Sequence, residues 1–368
     1  MEKEKNNLTS RIENIKKMYQ EKIYPRGAIL ATSKINSFYL TKIPLDGYWV
    51  LITYDATFLL PSLLLKEHLE ALKPKGFVIY FSTKATSMYT LLLELIKEQS
   101  INTLIIDPSE INYKLGTNLR KHLRRTKTKL ELIESLFRKI RAVKDASEVE
   151  NIKKACQLAK NTINYLLNNI SPELTQKALA RMVEKFLYDK NDKFIDGTAF
   201  PTIVAPGKYS SYPHHIPLNK KINNTKILLI DLGVKYNGYC SDITRTLLYH
   251  PVNSKVEKLY KSVEEIQRKI IEMVKPGIPC KELNRKYLEF IKKNNYTDYY
   301  LHNVGHGVGL EIHEAPNLDT TVSGEGEETL QPGMVFTVEP GLYVKNKFGV
   351  RIEDTILVTQ KGYEILTR

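Results

Sequence analysis

Asp231 closes a strongly apolar run, KILLIDLG, and Asp242 lies on the returning run, GYCSDITRT. With a turn centred between Tyr236 and Asn237, the two acids directly face each other, and opposed side chains share one face with Cβ atoms about 4.5–5.5 Å apart. Two carboxylates so placed repel, and the apolar strand around them implies burial, which makes the pair costlier still. A cation between them would offset that cost. A second hairpin repeats the arrangement: with its centre at Asn346, Glu339 faces Glu353. One opposed pair is compatible with a solvated edge, but two in corresponding positions point to a buried cation site. Six of the eight histidines lie between 214 and 313. His306 stands in NVGHGVG, where flanking glycines let backbone and ligand approach closely, and His313 follows in EIHEAP. Four carboxylates and one imidazole form an oxygen-rich donor set. It suits two divalent ions of the Mn, Co, Zn or Fe kind, and neither a thiolate zinc site nor haem. Two ions about 3.5–4 Å apart generate hydroxide at neutral pH and stabilise an oxyanion, which is the chemistry of carbonyl or phosphoryl hydrolysis.

Such side chains need hairpins held in place by helices, and the pattern supplies them twice. Ser147-x-x-Glu150 has the form of a capping box. Behind it Val149, Ile152, Cys156, Ala159, Ile163, Leu166 and Ile170 step at helical spacing, the mark of one buried face; Cys156 is then a small core residue. A second helical stretch, Thr175–Tyr188, precedes the first hairpin. The order then returns: helical stepping from Ser254, a helix over Lys281–Lys293, and a hairpin over Met334–Val358 turning at Lys345-Asn-Lys347. Two helix–helix–hairpin units can enclose one central site. The first 137 residues read differently. An opening helix over Leu8–Glu21 leads to the β-rich runs AILAT, GYWVLITY, GFVIYFS and NTLIIDP, with helices between them over Leu60–Leu72 and Thr86–Glu98. That alternation predicts an α/β domain. No GxGxxG and no GxxxxGK[ST] accompanies it, so a nucleotide site has no support. The expected organisation is an α/β N-terminal domain over 1–137 and an α+β C-terminal domain over 138–368.

The chain of 368 residues, 42% hydrophobic, is long enough for two cored domains. Its apolar stretches fall short of the ~20 residues of a membrane span. The N-terminal charges have no apolar segment behind them, so no signal peptide is expected. Three scattered cysteines fit a reducing compartment, and a cytoplasmic protein without a membrane partner is the expectation. The net charge of +14 has one concentration, seven basic residues from Lys114 to Lys129 with no acid among them. A nucleic-acid patch is one reading of it and a solvated helix face the other. Without an RNP, helix-turn-helix or zinc-finger pattern, the solvated face is preferred and nucleic acid is not an expected partner.

The stretches PTIVAPGKYSSYPHH, IDLGVKYNGYCSDITRT, HNVGHGVGLEIHEAP, MVFTVEPGLYV and GVRIEDTILVT, with the junction RAVKDASEVENIKKA, resemble the metallopeptidases of the pita-bread fold. Within them the chain is similar to the proline-peptidase branch, aminopeptidase P and prolidase, over nearly its whole length. The resemblance implies a creatinase-like N-terminal domain and a duplicated pita-bread catalytic domain around a dimetal site. It implies two divalent ions, manganese first and cobalt, zinc or iron as alternatives, held by Asp231, Asp242, His306, Glu339 and Glu353. Asp242 would be bidentate to one ion, with Asp231 and Glu353 bridging the pair. Glu339 matches the general base toward the bridging water or hydroxide. His214 and His313 match the histidines that hold the scissile carbonyl and stabilise the tetrahedral oxyanion. Arg351, on the strand face of Glu353, is open between substrate contact and charge balance, while His215 and His302 lend outer support. The implied activity is hydrolysis of Xaa-Pro bonds at the N-terminus of short proline-containing peptides, by a homodimer. Prolidases often carry an arginine just after the HExP motif to grip a dipeptide's carboxylate. Asn317 stands there instead, which tilts the expectation from strict dipeptidase toward aminopeptidase. A non-catalytic binding protein or a metal-free amidino hydrolase on this fold would be expected to lack ligands, and all five are present.

Overall fold

Asn237 and Gly238 both take positive φ, 47° and 84°, so this Asn-Gly pair is itself the two-residue turn of the first hairpin. Tyr236 pairs with Tyr239, and the same register places Thr244 opposite Asp231. The expected direct opposition of Asp231 and Asp242 is therefore corrected, because the turn centres one residue later than read. The acids become diagonal neighbours and still share a face, since side chains alternate with period two. The second hairpin keeps the expected register. Val344 pairs with Phe348 around Asn346, and Val338 pairs with Asp354, which sets Glu339 and Glu353 opposite each other between the two paired segments.

Alternation gives each hairpin one apolar and one polar face. Leu228, Ile230, Leu232 and Ile243 pack with the helices Ala146–Asn169 and Gln176–Tyr188 in one core. Phe336, Val338, Val350 and Ile356 pack with the helices Ser254–Glu272 and Cys280–Lys293 in another. The intervening positions (Asp231, Asp242, Thr244, Thr337, Arg351 and Glu353) are buried as well, yet on the opposite face. There the hairpins meet, with Glu353 N–H donating to the Thr244 carbonyl at 3.2 Å. The element order is thus a repeated helix–helix–hairpin, with each helix pair covering the apolar face of its own hairpin.

The helix Ala146–Asn169 is capped two residues earlier than the Ser147 box suggests. Asp145 Oδ1 accepts from the N–H groups of Ser147 and Glu148, and the Glu148 carboxylate returns to the Asp145 N–H. The Ser147 hydroxyl itself donates to Asp145. Asp145→Ala should therefore destabilise the protein by about 1 kcal/mol and Ser147→Ala by less, measurable as a shift in urea midpoint. Equal losses would return the cap to Ser147.

The chain forms two compact units in the computed structural model, Met1–Ile140 and Arg141–Arg368, where the sequence suggested a division at 137/138. The structure describes residues 2–72, 74–223, 225–319 and 328–368. In the first unit a six-stranded mixed sheet runs in the order Val78–Ile79, Thr57–Pro61, Tyr48–Thr53, Gly27–Ala31, Thr103–Ile106, Lys129–Leu132. The helix expected over Leu60–Leu72 is corrected at its start. The run Thr57–Pro61 is a fully buried strand paired with Tyr48–Ile52, and the α-helix spans only Lys66–Leu72; a short apolar run does not distinguish strand from helix by periodicity. The basic side chains from Lys114 to Lys129 are exposed, on or just beyond the helix Tyr113–Thr126, which buries Leu119 and Leu123. Among the described residues no helix is long and apolar enough to cross a membrane, and the three cysteines are buried and form no disulfide.

Candidate metal centre

Ligand atoms of Asp242, His306 and Glu353 all lie within 4.8 Å of one another. His306 Nε2 is 3.2 Å from Glu339 Oε1 and 3.7 Å from Asp242 Oδ2. Asp231 joins through Arg351, whose Nη2 donates to Asp231 Oδ2 at 2.5 Å. All five acid and imidazole positions read from the sequence therefore meet on the polar faces of the two hairpins.

Backbone packing sets His306. Its N–H donates to Thr337 Oγ1 at 3.1 Å and its carbonyl accepts from the Thr337 N–H at 2.8 Å. The flanking glycines allow the close backbone approach expected of them, Gly305 to Thr337 and Gly307 to Ala315. A Cβ on Gly305 would come within 2.0 Å of the Thr337 carbonyl oxygen, and one on Gly307 within 2.3 Å of the Ala315 carbonyl carbon. Glu353 Oε2 accepts from Thr244 Oγ1 at 2.6 Å, and the Asp242 carbonyl accepts from Thr355 Oγ1 at 2.8 Å.

The electrostatics are those of anions crowded together out of water. Burial, then the charges of Glu353, Asp231 and Glu339, push the Asp242 carboxyl well above its usual range. Burial, then Glu339 and Asp231, do the same to Glu353. Burial also raises Asp231, against the opposing pull of Arg351. Glu339 goes the other way: burial works to raise it, but the hydrogen bond and charge of His306, with His302 and Arg351, hold it at about 2. Burial works to lower His306, but the hydrogen bond and charge of Glu339, with the Gly307 carbonyl and Asp231, together raise it. Three buried oxygens, Asp231 Oδ1, Asp242 Oδ1 and Glu353 Oε1, have no hydrogen-bond partner among the described residues. Buried carboxylate oxygens are ordinarily satisfied, and three orphans on three acids beside one imidazole are the donor set that hard or borderline divalent ions take. These residues fit divalent metal.

Arg351 is 3% exposed and ties the centre to an outer network. Its Nε donates to Thr244 Oγ1 at 3.1 Å and its Nη1 to the Tyr343 hydroxyl at 3.0 Å and the Pro213 carbonyl at 3.4 Å. The Tyr343 hydroxyl also pairs with His302 Nε2 at 2.7 Å, and burial lowers the His302 pKa. Of the two readings open for Arg351, its pairing with Asp231 is what charge balance requires. His302 gives the expected outer support. His215 does not reach the centre: it bonds Gln176 Oε1 at 2.8 Å and stacks on Tyr209. The His313 ring lies 4.2 Å from that of His306, edge to face, and His313 is exposed. His214, also exposed, follows Pro213 and is close enough for its charge to act on His302. Asn317 is exposed. Thr244 and Tyr343 were not anticipated, although period-two counting from Asp242 and from Glu339 lands on them.

Residues 150–360 match the model of metallopeptidase family M24. The Xaa-Pro dipeptidase of Pyrococcus furiosus is 33% identical over 363 residues, covering 98% of each chain. Among solved structures, a Xaa-Pro dipeptidase from Bacillus anthracis superposes with a TM-score of 0.87 at 29% identity, covering 98% of each chain. An X-Pro aminopeptidase from Thermotoga maritima gives 0.82 at 27% identity, over 95% of this chain and 97% of that one.

Proposed function

The chain belongs to metallopeptidase family M24, and on that premise we propose that it hydrolyses Xaa-Pro bonds at the N-terminus of short peptides with two divalent ions, manganese first. The carrying observation is the convergence of three unpartnered buried carboxylate oxygens with His306 where the hairpins meet. Asp231, Asp242, His306, Glu339 and Glu353 would hold the ions. When bound, such a pair supplies Lewis acidity that polarises the scissile carbonyl and lowers the pKa of water.

The protein's own groups do the rest. Glu339 Oε1 faces His306 and Thr337, and Oε2 accepts no hydrogen bond among the described residues. Oε2 is the atom placed to take the proton of the attacking water and return it to the prolyl nitrogen as the bond breaks. An amide nitrogen leaves as a neutral amine only with a delivered proton, and the prolyl nitrogen, which has no hydrogen in the peptide, becomes a secondary amine by that transfer. His313 and His214 hold the carbonyl and the oxyanion that forms from it. Arg351 keeps Asp231 ionised and aligned. If these roles are right, His214→Ala should leave metal content unchanged and cost about 2–4 kcal/mol of transition-state stabilisation. Metal loss in that variant would make His214 a ligand instead.

A stricter reading, hydrolysis of Xaa-Pro dipeptides alone, is supported by the full-length Pyrococcus relative. Asn317 favours the broader one: it carries no charge to grip a dipeptide's carboxylate, and the Arg351 donors are engaged within the protein. We expect kcat/KM for Ala-Pro-Pro at least equal to that for Ala-Pro, and little turnover of Ala-Ala. A preference of tenfold or more for the dipeptide would establish the stricter reading.

A further inference from the structure

Arg141, Lys144 and Glu314 form a charge cluster with no part in the chemistry above, and each is less than a tenth exposed. Glu314 Oε2 accepts from Arg141 Nη2 at 2.6 Å, and Oε1 lies 2.9 Å from Lys144 Nζ. Arg141 Nη2 also reaches Glu311 Oε2 at 2.6 Å, while Lys144 Nζ donates to the Ala315 carbonyl at 3.2 Å. Two cations just before the helix Ala146–Asn169 thus grip the chain on both sides of His313. The Glu314 carboxylate also accepts from the Glu311 N–H at 3.2 Å, and it fills the space beside Gly309, where a Cβ would come within 2.1 Å of Oε1.

His306 has anchors of its own, although the adjacent Gly307 also pairs with this segment, its carbonyl accepting from the Glu314 N–H at 3.0 Å and its N–H donating to the Pro316 carbonyl at 3.1 Å. Besides the two bonds to Thr337, the nearby Val308 N–H donates to the Val335 carbonyl at 3.0 Å. The side-chain contacts of the cluster fall on the 311–315 turn that carries the exposed histidine, and none is made to the His306 side chain among the described residues. Burying two cations and a carboxylate is weak as a stabilising device, since apolar side chains of similar volume often serve as well. A role in placing a side chain accounts for what stability does not.

We propose that Arg141 and Lys144 are positioning residues for His313, acting through Glu314 and Glu311 to hold its ring against that of His306. The proposal rests on His313 being a carbonyl-holding histidine. A double-mutant cycle on the metal-loaded full-length protein tests both, with Ala-Pro-Pro as substrate. Glu314→Gln should lower kcat/KM about tenfold or more, mostly in kcat, with metal content unchanged. In a His313→Ala background the same change should cost less than about twofold, because residues acting through one group are not additive. Equal losses in the two backgrounds, or native kcat/KM in Glu314→Gln, would overturn the positioning role while leaving His313 catalytic. Native kcat/KM in His313→Ala would instead remove the role of His313, and the proposal with it. Should Glu314→Gln not fold, Arg141→Lys carries the cycle, since it keeps the buried charge and changes only its geometry, and the same two outcomes decide.

Discussion

Asp242→Asn is expected to abolish turnover while making the metal-stripped protein harder to unfold. Asp242 is buried among Glu353, Asp231 and Glu339, whose charges add to burial in disfavouring its ionised form. Without cations this crowding works against the fold, so a neutral amide of the same shape relieves it. With cations the same carboxylate is a ligand. Its loss should exceed the about 10- to 100-fold typical of groups that merely support ligands. The two effects have opposite signs, and that pairing is what distinguishes a metal ligand from a structural acid. Thermal melts with and without chelator, beside elemental analysis, read both. A melting temperature of the stripped variant below that of the stripped native protein would mean that Asp242 stabilises the fold through contacts of its own.

Glu339→Gln should retain the shape of the centre and lose about 10²-fold or more in kcat. Among the four acids Glu339 is the one held strongly ionised, at about 2, by His306. It also has one oxygen turned to His306 and the other 3.9 Å from Arg351 Nε, without a hydrogen-bond donor among the described residues. An amide in its place accepts no proton. Single-turnover measurement on a metal-replete variant isolates the chemical step. A near-native rate with two ions bound would assign the base elsewhere.

The polar positions of the centre were legible because strand alternation is a strict rule. Asp231, Asp242, Glu339 and Glu353 could be placed on one face from spacing alone. What failed was local. Two neighbouring readings of the Lys235–Gly238 turn differ by one residue in centre, and the positive φ of Asn237 and Gly238 decides between them. A two-position shift keeps the side-chain face, so the site survived the error. The cap of Ala146–Asn169 was misplaced because Asp145 and Ser147 are both good caps, and the neighbour three residues on, Glu148 or Glu150, fits either. Arg351 could not be resolved because spacing gives a side chain's face but not its partner. Its contacts with Asp231, Thr244 and Tyr343 depend on how two hairpins distant in sequence meet. The Arg141–Lys144–Glu314 cluster was invisible for the same reason: Glu314 lies 173 residues from Arg141, farther than the two hairpins lie from each other.

The most direct test is release of alanine from Ala-Pro-Pro, with Pro-Pro as the other product, by protein stripped with chelator and then resupplied with Mn²⁺. Hydrolysis should fall to background on stripping, with metal removal verified by elemental analysis, and should return as about two ions per chain rebind. Undiminished cleavage by verified metal-free protein would contradict a dimetal peptidase and leave the buried acids without their proposed purpose.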